Sequence, residues 1–461
     1  MFLATGAGFA GVAATLAMSP PRSWATGLAG LRSAERGAVL LPGDAGFEEA
    51  RTPWSLSIDQ EVRAVVEPVD VDDAAALVRY ARDSALALAT QPTGHGASGS
   101  AEGTILVRTR RFDDVQVDRA GALVQAGAGV SWARVAQAAA PHGLLALSGS
   151  APGVGVAGYT LGGGLGWFSR RYGLGAAGVR AFEGLNHRGE PFRATADSDP
   201  ELFWALSGGG GDYALITRLE VELQPVREVF GGSLRWPLTS APAVLRTFRE
   251  VTASVPEDLT IWFNMSQPPG GAPASVGVDT TFLGDPDTAR RLLSPFEAIG
   301  GRISDTLRSL PGDQLGTITN EPTRPSPGRQ RATLLSGLPD AVVDAFAGAP
   351  IAPLLNVQIR HLGGALARPS NIAADPISEP YLVNFTGMAT SPGAAAATDE
   401  RVATYLDILA TVDSGRTPFN FLAPTQTAAQ AFSSGNLERL RRTKRTRDPQ
   451  GIFRSNYPVL A

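Results

Sequence analysis

Gln91-Pro92-Thr93-Gly94-His95-Gly96-Ala97-Ser98, read together with GSAPGVGVAGYTLGGGLGWFSRRYGLG at 149–175, decides the fold of this 461-residue chain. The apolar run LALAT at 86–90 reads as a strand that passes straight into the first loop. Small residues let successive backbone N–H groups turn toward one ligand, and such nests suit a pyrophosphate. One imidazole, His95, sits inside that loop. Taken alone, a histidine in a glycine loop is an ordinary turn residue.

Around that loop the pattern alternates. RAVVEP (63–68) reads as a strand, and Asp72 and Asp73 supply an N-cap region for a helix over 73–85 with Leu77, Val78 and Ala81 on one face. TILVRT, VQVDRA and ALVQAGAG read as short strands, and SWARVAQAAAPHG as a helix opening on Ser131. YALITRLEVEL (213–223) is another strand, preceded by glycines 208–211. After about Pro225, strands such as VFGGSLRWPL and LTIWFNMSQ alternate with helices such as APAVLRTFREVTASV. That alternation predicts a second α+β unit with an antiparallel sheet. A basic helix, NLERLRRTKRTRDPQ, and an extended tail close the chain.

Composition excludes several chemistries. There is no cysteine, so disulfides, thiolate metal sites and cysteine nucleophiles are out. His95, His142, His187 and His361 have no HxxxH-type spacing, so no metal site is expected. The net charge of −4 argues against a nucleic-acid partner, and the basic run Arg439 to Arg447 reads as a solvated helix face. Trp167, Phe168, Phe203 and Trp204 read as core packing. No run after the N-terminus is long enough to span a membrane, and the sequence assigns no oligomeric state. FLATGAGFAGVAATLAM (2–18), followed by PPRSWA, has signal-peptide length, and FLATGAG resembles the part of a twin-arginine signal that follows the arginines. The segment 1–25 therefore predicts export; a packed apolar helix on a cytoplasmic protein is the other reading.

Gly153, Gly155 and Gly158 satisfy G-x-G-x-x-G. The string leads into YTLGGGLGW, a poor helix start, and the first acidic residue after it is Glu183. A dinucleotide-type Rossmann turn needs a helix there and an acidic residue about 20 positions on, so that reading is set aside.

Four stretches in order, the His95 loop, the 149–179 segment, DPELFWALSGGGGDYALIT and RLRRTKRTRDPQGIF, resemble the berberine-bridge-enzyme-like branch of the vanillyl-alcohol-oxidase flavoproteins, which carry a PCMH-type FAD-binding domain. The resemblance implies an α+β fold: a bipartite FAD domain (40–227) closed by the C-terminal segment (430–461), and a substrate domain (228–429) whose antiparallel sheet is flanked by helices. It implies a flavin tethered through its 8α-methyl to His95, with Pro92, Thr93, Gly94, Gly96, Ala97 and Ser98 forming the pyrophosphate loop. Ala151 falls where doubly tethered members have cysteine, so no second tether is available. Ser150, Pro152, Gly153, Val154, Gly155, Gly158 and Gly163 would follow the cofactor. Val154 falls where a valine goes with oxygen access, which favours an oxidase. Tyr159 would lie along the ribityl or pyrimidine side. Gly208, Gly210 and Ile216 would pack at the adenine end, and Asn456 and Tyr457 would return to the isoalloxazine.

One departure bears on chemistry. Related bacterial oxidases carry a YxNY-like segment whose last tyrosine acts as a base; here it reads Pro418-Phe419-Asn420-Phe421. Phenylalanine accepts no proton. Other candidates are Tyr159 and, on the expected substrate sheet, Gln358, Arg360, His361, Tyr381 and Asn384. Alternation on a strand lets either Gln358 and Arg360 or His361 face the flavin, but not both. His361 has the chemistry of a base; a satisfied strand-end histidine is the other reading. The expected activity is hydride transfer from a small-molecule alcohol, sugar or secondary metabolite to FAD, with O2 as acceptor. A flavin-binding protein with little turnover, or a dehydrogenase with another acceptor, is the alternative.

Overall fold

The strand expected at 63–68 is Ala64–Glu67. It pairs in parallel with Ile105–Val107, which pairs in parallel with Leu88–Thr90. Ala38–Leu40 adds to the other edge, antiparallel. This computed structural model describes Leu28 and residues 30–461, so the signal-like segment 1–25 lies outside the described residues. The helix Val71–Asp83 covers the small sheet with Ala74, Leu77, Val78 and Ala81. Its cap is Asp70, whose extended backbone lets the carboxylate accept from Asp73 N–H at 2.9 Å. Asp72 and Asp73 are therefore not the cap. Asp73 turns inward instead and accepts the N–H groups of Arg36, Gly37 and Val69 at 2.7, 2.9 and 3.0 Å.

A five-stranded antiparallel sheet follows in the order Val115–Asp118, Leu123–Gly127, Leu215–Glu222, Val179–Leu185, Pro191–Ala194. Between its strands runs the glycine-dense segment. A short helix, Val156–Leu161, does begin at Gly155, where the sequence suggested a poor start; it stops after six residues at Gly162.

The third sheet has eight strands, all antiparallel. Along its path lie Ser304–Asp305, Glu228–Pro237, Ser275–Phe282, Leu259–Ser266, Asn356–His361, Tyr381–Met388 and Gly328–Leu335, with Arg308–Pro311 paired to Glu228–Pro237. Its two faces differ because polarity alternates along each strand. One face buries Phe263, Met265, Val278, Val357, Ile359, Val383 and Phe385 with Phe248, Phe346 and Tyr405 of the helices Ala241–Thr252, Asp340–Gly348 and Pro392–Leu409. The other face carries Asn264, Asp279, Gln358, Arg360 and Asn384. Mixed parallel and antiparallel sheets with segregated helices make the fold α+β.

The basic helix Ser434–Arg447 and the tail behind it return to the small sheet. Leu88 N–H donates to Ile452 C=O at 2.6 Å, and Arg454 N–H donates to Leu88 C=O at 2.8 Å. The helix face is paired: Arg439 with Glu201, Arg447 with Asp199 and Arg445 with Glu438. Trp167, Phe168, Phe203 and Trp204 are buried. Among the described residues, no helix is long and apolar enough to cross a membrane, and no cluster of His, Asp or Glu is placed to hold a metal.

Candidate functional site

The first loop, the glycine-dense segment, the C-terminal tail and the polar face of the eight-stranded sheet converge on one cavity of about 1070 Å³. Pro92, Thr93, Gly94, His95, Gly96 and Ala97 line it, as do Ser150, Ala151, Val154, Gly155, Gly158, Tyr159, Asn456 and Tyr457. Facing them are Asn264, Asp279, Glu321, Gln358, Arg360 and Asn384. Segments far apart in sequence thus meet on one surface.

The loop is shaped for an anionic ligand. Among the described residues, the N–H groups of Thr93, Gly94, His95 and Gly96 donate to no protein acceptor. Backbone donors rarely stay unpaired in proteins, and a run of them suits a pyrophosphate. Gly94 has φ +75°, and a Cβ there would meet Pro53 Cα at 2.8 Å. A Cβ on Gly155 or Gly96 would make only ordinary contact, with Pro92 and Asn456 at 3.4 Å. Gly94 is therefore the position of the cradle that requires glycine. Behind it, Gln91 bonds Gln60 and donates to Asn456 Oδ1 at 3.0 Å, and Ser98 Oγ donates to Asn456 C=O. The residues present fit the phosphates of a dinucleotide such as FAD.

His95 is held from two sides. Its Nδ1 shares a hydrogen bond with Thr93 Oγ1 at 2.8 Å, and Trp54 stacks on the ring at 4.1 Å. Burial lowers its pKa to about 4, so the imidazole is neutral at pH 7. Tyr159 is held by glycines: a Cβ on Gly149, Gly164, Gly166 or Gly175 would lie 3.4, 2.5, 2.6 or 3.1 Å from it. Its hydroxyl donates to Leu147 C=O at 3.2 Å, and burial pushes its pKa up. Tyr159 is a neutral, anchored wall of the cavity and has no geometry of a base.

Alternation on Asn356–His361 resolves the sheet. Gln358 and Arg360 face the cavity; His361 faces away. His361 Nε2 meets an Arg170 terminal nitrogen at 2.8 Å, and burial beside that cation lowers its pKa to about 2. The candidate base His361 is therefore corrected to a buried neutral residue. Tyr381 lies on the same side, its hydroxyl 2.9 Å from Thr252 Oγ1. Arg360 cannot act as a base: it keeps its charge, although burial lowers its pKa to about 10.

Ser98, Pro152, Gly153 and Gly163 lie beside the cavity without lining it. Gly208, Gly210 and Ile216 are buried in packing: a Cβ on Gly208 would meet Ala374 at 2.8 Å and one on Gly210 would meet the Phe419 ring at 3.0 Å. Phe419 and Phe421 both line the cavity, in the turn Phe419–Phe421. Phe419 stands edge-on to Tyr457 at 5.7 Å, and Phe421 carries the Arg360 cation at 5.0 Å. Sequence reasoning missed Trp54, Asn264, Asp279 and Glu321. The polar alternation within the otherwise apolar 259–266 and 275–282 was the signal for two of them.

Residues 62–195 match the FAD binding domain family. The chain is 28% identical to (R)-6-hydroxynicotine oxidase of Paenarthrobacter nicotinovorans over 62% of its own length and 63% of that protein's. It is 25% identical to the chitooligosaccharide oxidase of Gibberella zeae over 60% of its length and 56% of that one's. The matches thus span less than two thirds of these curated relatives. Among solved structures, BBE-like 1 of Physcomitrella patens superposes with a TM-score of 0.82 at 19% identity, covering 95% of this chain and 99% of that one. The 6-hydroxy-D-nicotine oxidase of Arthrobacter nicotinovorans superposes at 0.81 with 24% identity, covering 92% and 98%. Residues 62–195 thus form an FAD binding domain, and the chain as a whole has the fold of the berberine-bridge-enzyme-like FAD-linked oxidases.

Proposed function

We propose that this chain is an FAD-dependent oxidase of a small alcohol, sugar or secondary metabolite, with the flavin attached through His95. The observation that carries the reading is the position of a neutral, doubly held imidazole on the wall of a cavity whose opposite wall is a polar sheet face. Bound FAD supplies the hydride acceptor, and its reoxidation by O2 yields hydrogen peroxide. The protein supplies the rest. Thr93 to Gly96 hold the phosphates, and a ring nitrogen of His95 stays unprotonated for the covalent bond because burial lowers its pKa. Without cysteine, no thioether accompanies it. Residues 40–227 with 430–461 serve the flavin, and 228–429 serve the substrate. The half-buried Val154 on the cavity wall fits access of oxygen.

Proton removal does not fall to the turn Phe419–Phe421. Of the carboxylates on the wall, Asp279 is tied to Arg235 and Asn264, Asp399 to Arg329 and Asp413 to Thr333; Glu321, which makes no such bond among the described residues, is the candidate proton acceptor. The phenylalanines also favour a second reading, a flavin carrier with little turnover.

Acid precipitation of the purified protein tests the attachment: yellow colour stays with the polypeptide, and His95→Ala releases it. Free flavin in the wild-type supernatant would sink the tether. Anaerobic mixing with a panel of alcohols and sugars tests the oxidase, with bleaching by at least one member and rapid recovery in air. No bleaching by any member favours the carrier.

A further inference from the structure

Arg360 is a buried cation without a counterion in contact. It is 7% exposed, lies over the Trp262 ring at 4.0 Å and beside the Phe421 ring at 5.0 Å. Its Nε donates to Gln358 Oε1 at 2.6 Å; among the described residues, its two terminal nitrogens donate to nothing. Glu321 is its foremost carboxylate neighbour, yet makes no ion pair with it.

A chain of bonds across the sheet fixes this guanidinium. Arg235 pairs with Asp279, which also accepts from Ser233 Oγ at 2.6 Å. Asn264 Nδ2 donates to Asp279 Oδ2 at 2.8 Å, and Gln358 Nε2 donates to Asn264 Oδ1 at 2.8 Å. Each amide spends its N–H on the Asp279 side, so its oxygen faces the next residue. Asp279 thus sets the polarity of the whole row, and Gln358 must offer Arg360 an acceptor. The aromatic faces fix the plane of the guanidinium and the Gln358 bond fixes its rotation, so the outer edge of the fork presents its remaining donors to the cavity.

A desolvated cation is stabilised when a geometrically matched anion completes its hydrogen bonds. A planar fork with two parallel donors matches a carboxylate better than it matches a hydroxyl. We propose that Arg360 is the specificity residue of this cavity and binds the carboxylate of the substrate, with Asp279, Asn264 and Gln358 as its positioning residues. The substrate is then a small hydroxy or amino acid derivative, or an aromatic acid, rather than a neutral sugar. This rests on the cavity being the substrate chamber of the proposed oxidase.

Isothermal titration of the purified flavoprotein with benzoate, benzamide and inorganic phosphate tests it, and needs no turnover. Benzoate binds and benzamide does not; Arg360→Gln weakens benzoate about 10–100-fold, the loss expected for charge-assisted hydrogen bonds. Arg360→Lys recovers only part, because an ammonium has no fork. Asp279→Asn weakens benzoate several-fold from a distance. Glu321→Gln leaves Arg360 in place and removes the competing negative charge, so it tightens benzoate; this arm stands even where Arg360→Gln does not fold. Equal affinity for benzoate and benzamide overturns the proposal, as does tighter binding of phosphate. Unchanged benzoate affinity in Arg360→Gln, with a lowered flavin reduction potential, overturns it by assigning the cation to the flavin. Benzoate binding without turnover on any substrate would remove the oxidase reading and leave the anion site standing.

Discussion

Trp54 stacks flat on His95, with ring centroids 4.1 Å apart and planes 17° apart. The indole covers the face of the residue expected to carry the flavin. It contributes to the burial that holds the imidazole near pKa 4.

Trp54→Ala uncovers that face, so the His95 pKa rises toward the ordinary value of about 6.5. Less of the flavin then becomes attached, and the acid-precipitated protein is paler than wild type. Trp54→Phe keeps a stacked ring and most of the colour. Equal colour in Trp54→Ala and wild type would show that the stack has no part in attachment.

His361→Gln tests whether that histidine is structural. Arg170 keeps its carbonyl acceptors at Leu259, Leu362, Val255 and Pro256, so the loss is about 1–3 kcal/mol of stability, with kcat little changed. The pH dependence has a definite sign. The folded pKa of about 2 lies below the unfolded value of about 6.5, so this histidine's stabilising share is complete above about pH 6.5. As pH falls below that, the unfolded chain takes up the proton first and the share shrinks. The Tm gap between wild type and His361→Gln therefore narrows on acidification, and a gap that widens contradicts the assignment.

Lys444, the chain's sole lysine, donates to Asp212 C=O, Asp448 Oδ2 and Phe453 C=O, each at 2.6 Å. Asp448 in turn accepts from Ile452 and Phe453 N–H, and Asp212 from Ser455 and Val459 N–H. This knot holds the tail that carries Asn456 and Tyr457 to the cavity. Lys444→Met strands the Asp448 carboxylate and costs about 3–5 kcal/mol in urea unfolding. Flavin content of the purified protein falls with it.

Gly164→Ala strikes the Tyr159 cage. The residue has φ +78°, and its Cβ would lie 2.5 Å from Tyr159 Cε1. The left-handed backbone and the overpacking together cost about 2–4 kcal/mol. Because Tyr159 lines the cavity, the flavin absorbance spectrum shifts as well. A stable variant with an unaltered spectrum would show that the ring can move aside freely.

The candidate phosphate loop was legible because its signal is local. A strand running into Gln91–Ser98, with His95 inside, needs only neighbours in sequence to be read. The helix cap was misread by two residues because Asp70, Asp72 and Asp73 are equally good capping types. Which one caps was decided by Asp73 turning to satisfy three N–H groups, two of them more than thirty residues away. Gly208 and Gly210 pack against Ala374 and Phe419, and Ile216 lies in the core, so none of the three is on the cavity lining; only the tertiary arrangement separates packing glycines from loop glycines.

The sequence by itself determined that this is an FAD-binding α+β chain, that no cysteinyl tether is available to the flavin, and that the turn at 418–421 lacks a phenolic base. It also determined, from the two-residue repeat of a strand, that Gln358 and Arg360 share one face and His361 takes the other. Which face meets the cavity was decided only by the tertiary structure. The choice depends on where the helices Ala241–Thr252, Asp340–Gly348 and Pro392–Leu409 dock, since burying Val357 and Ile359 beneath them leaves Arg360 on the opposite side. A strand's period sets which residues lie together; the apolar surface that covers it sets which way they point.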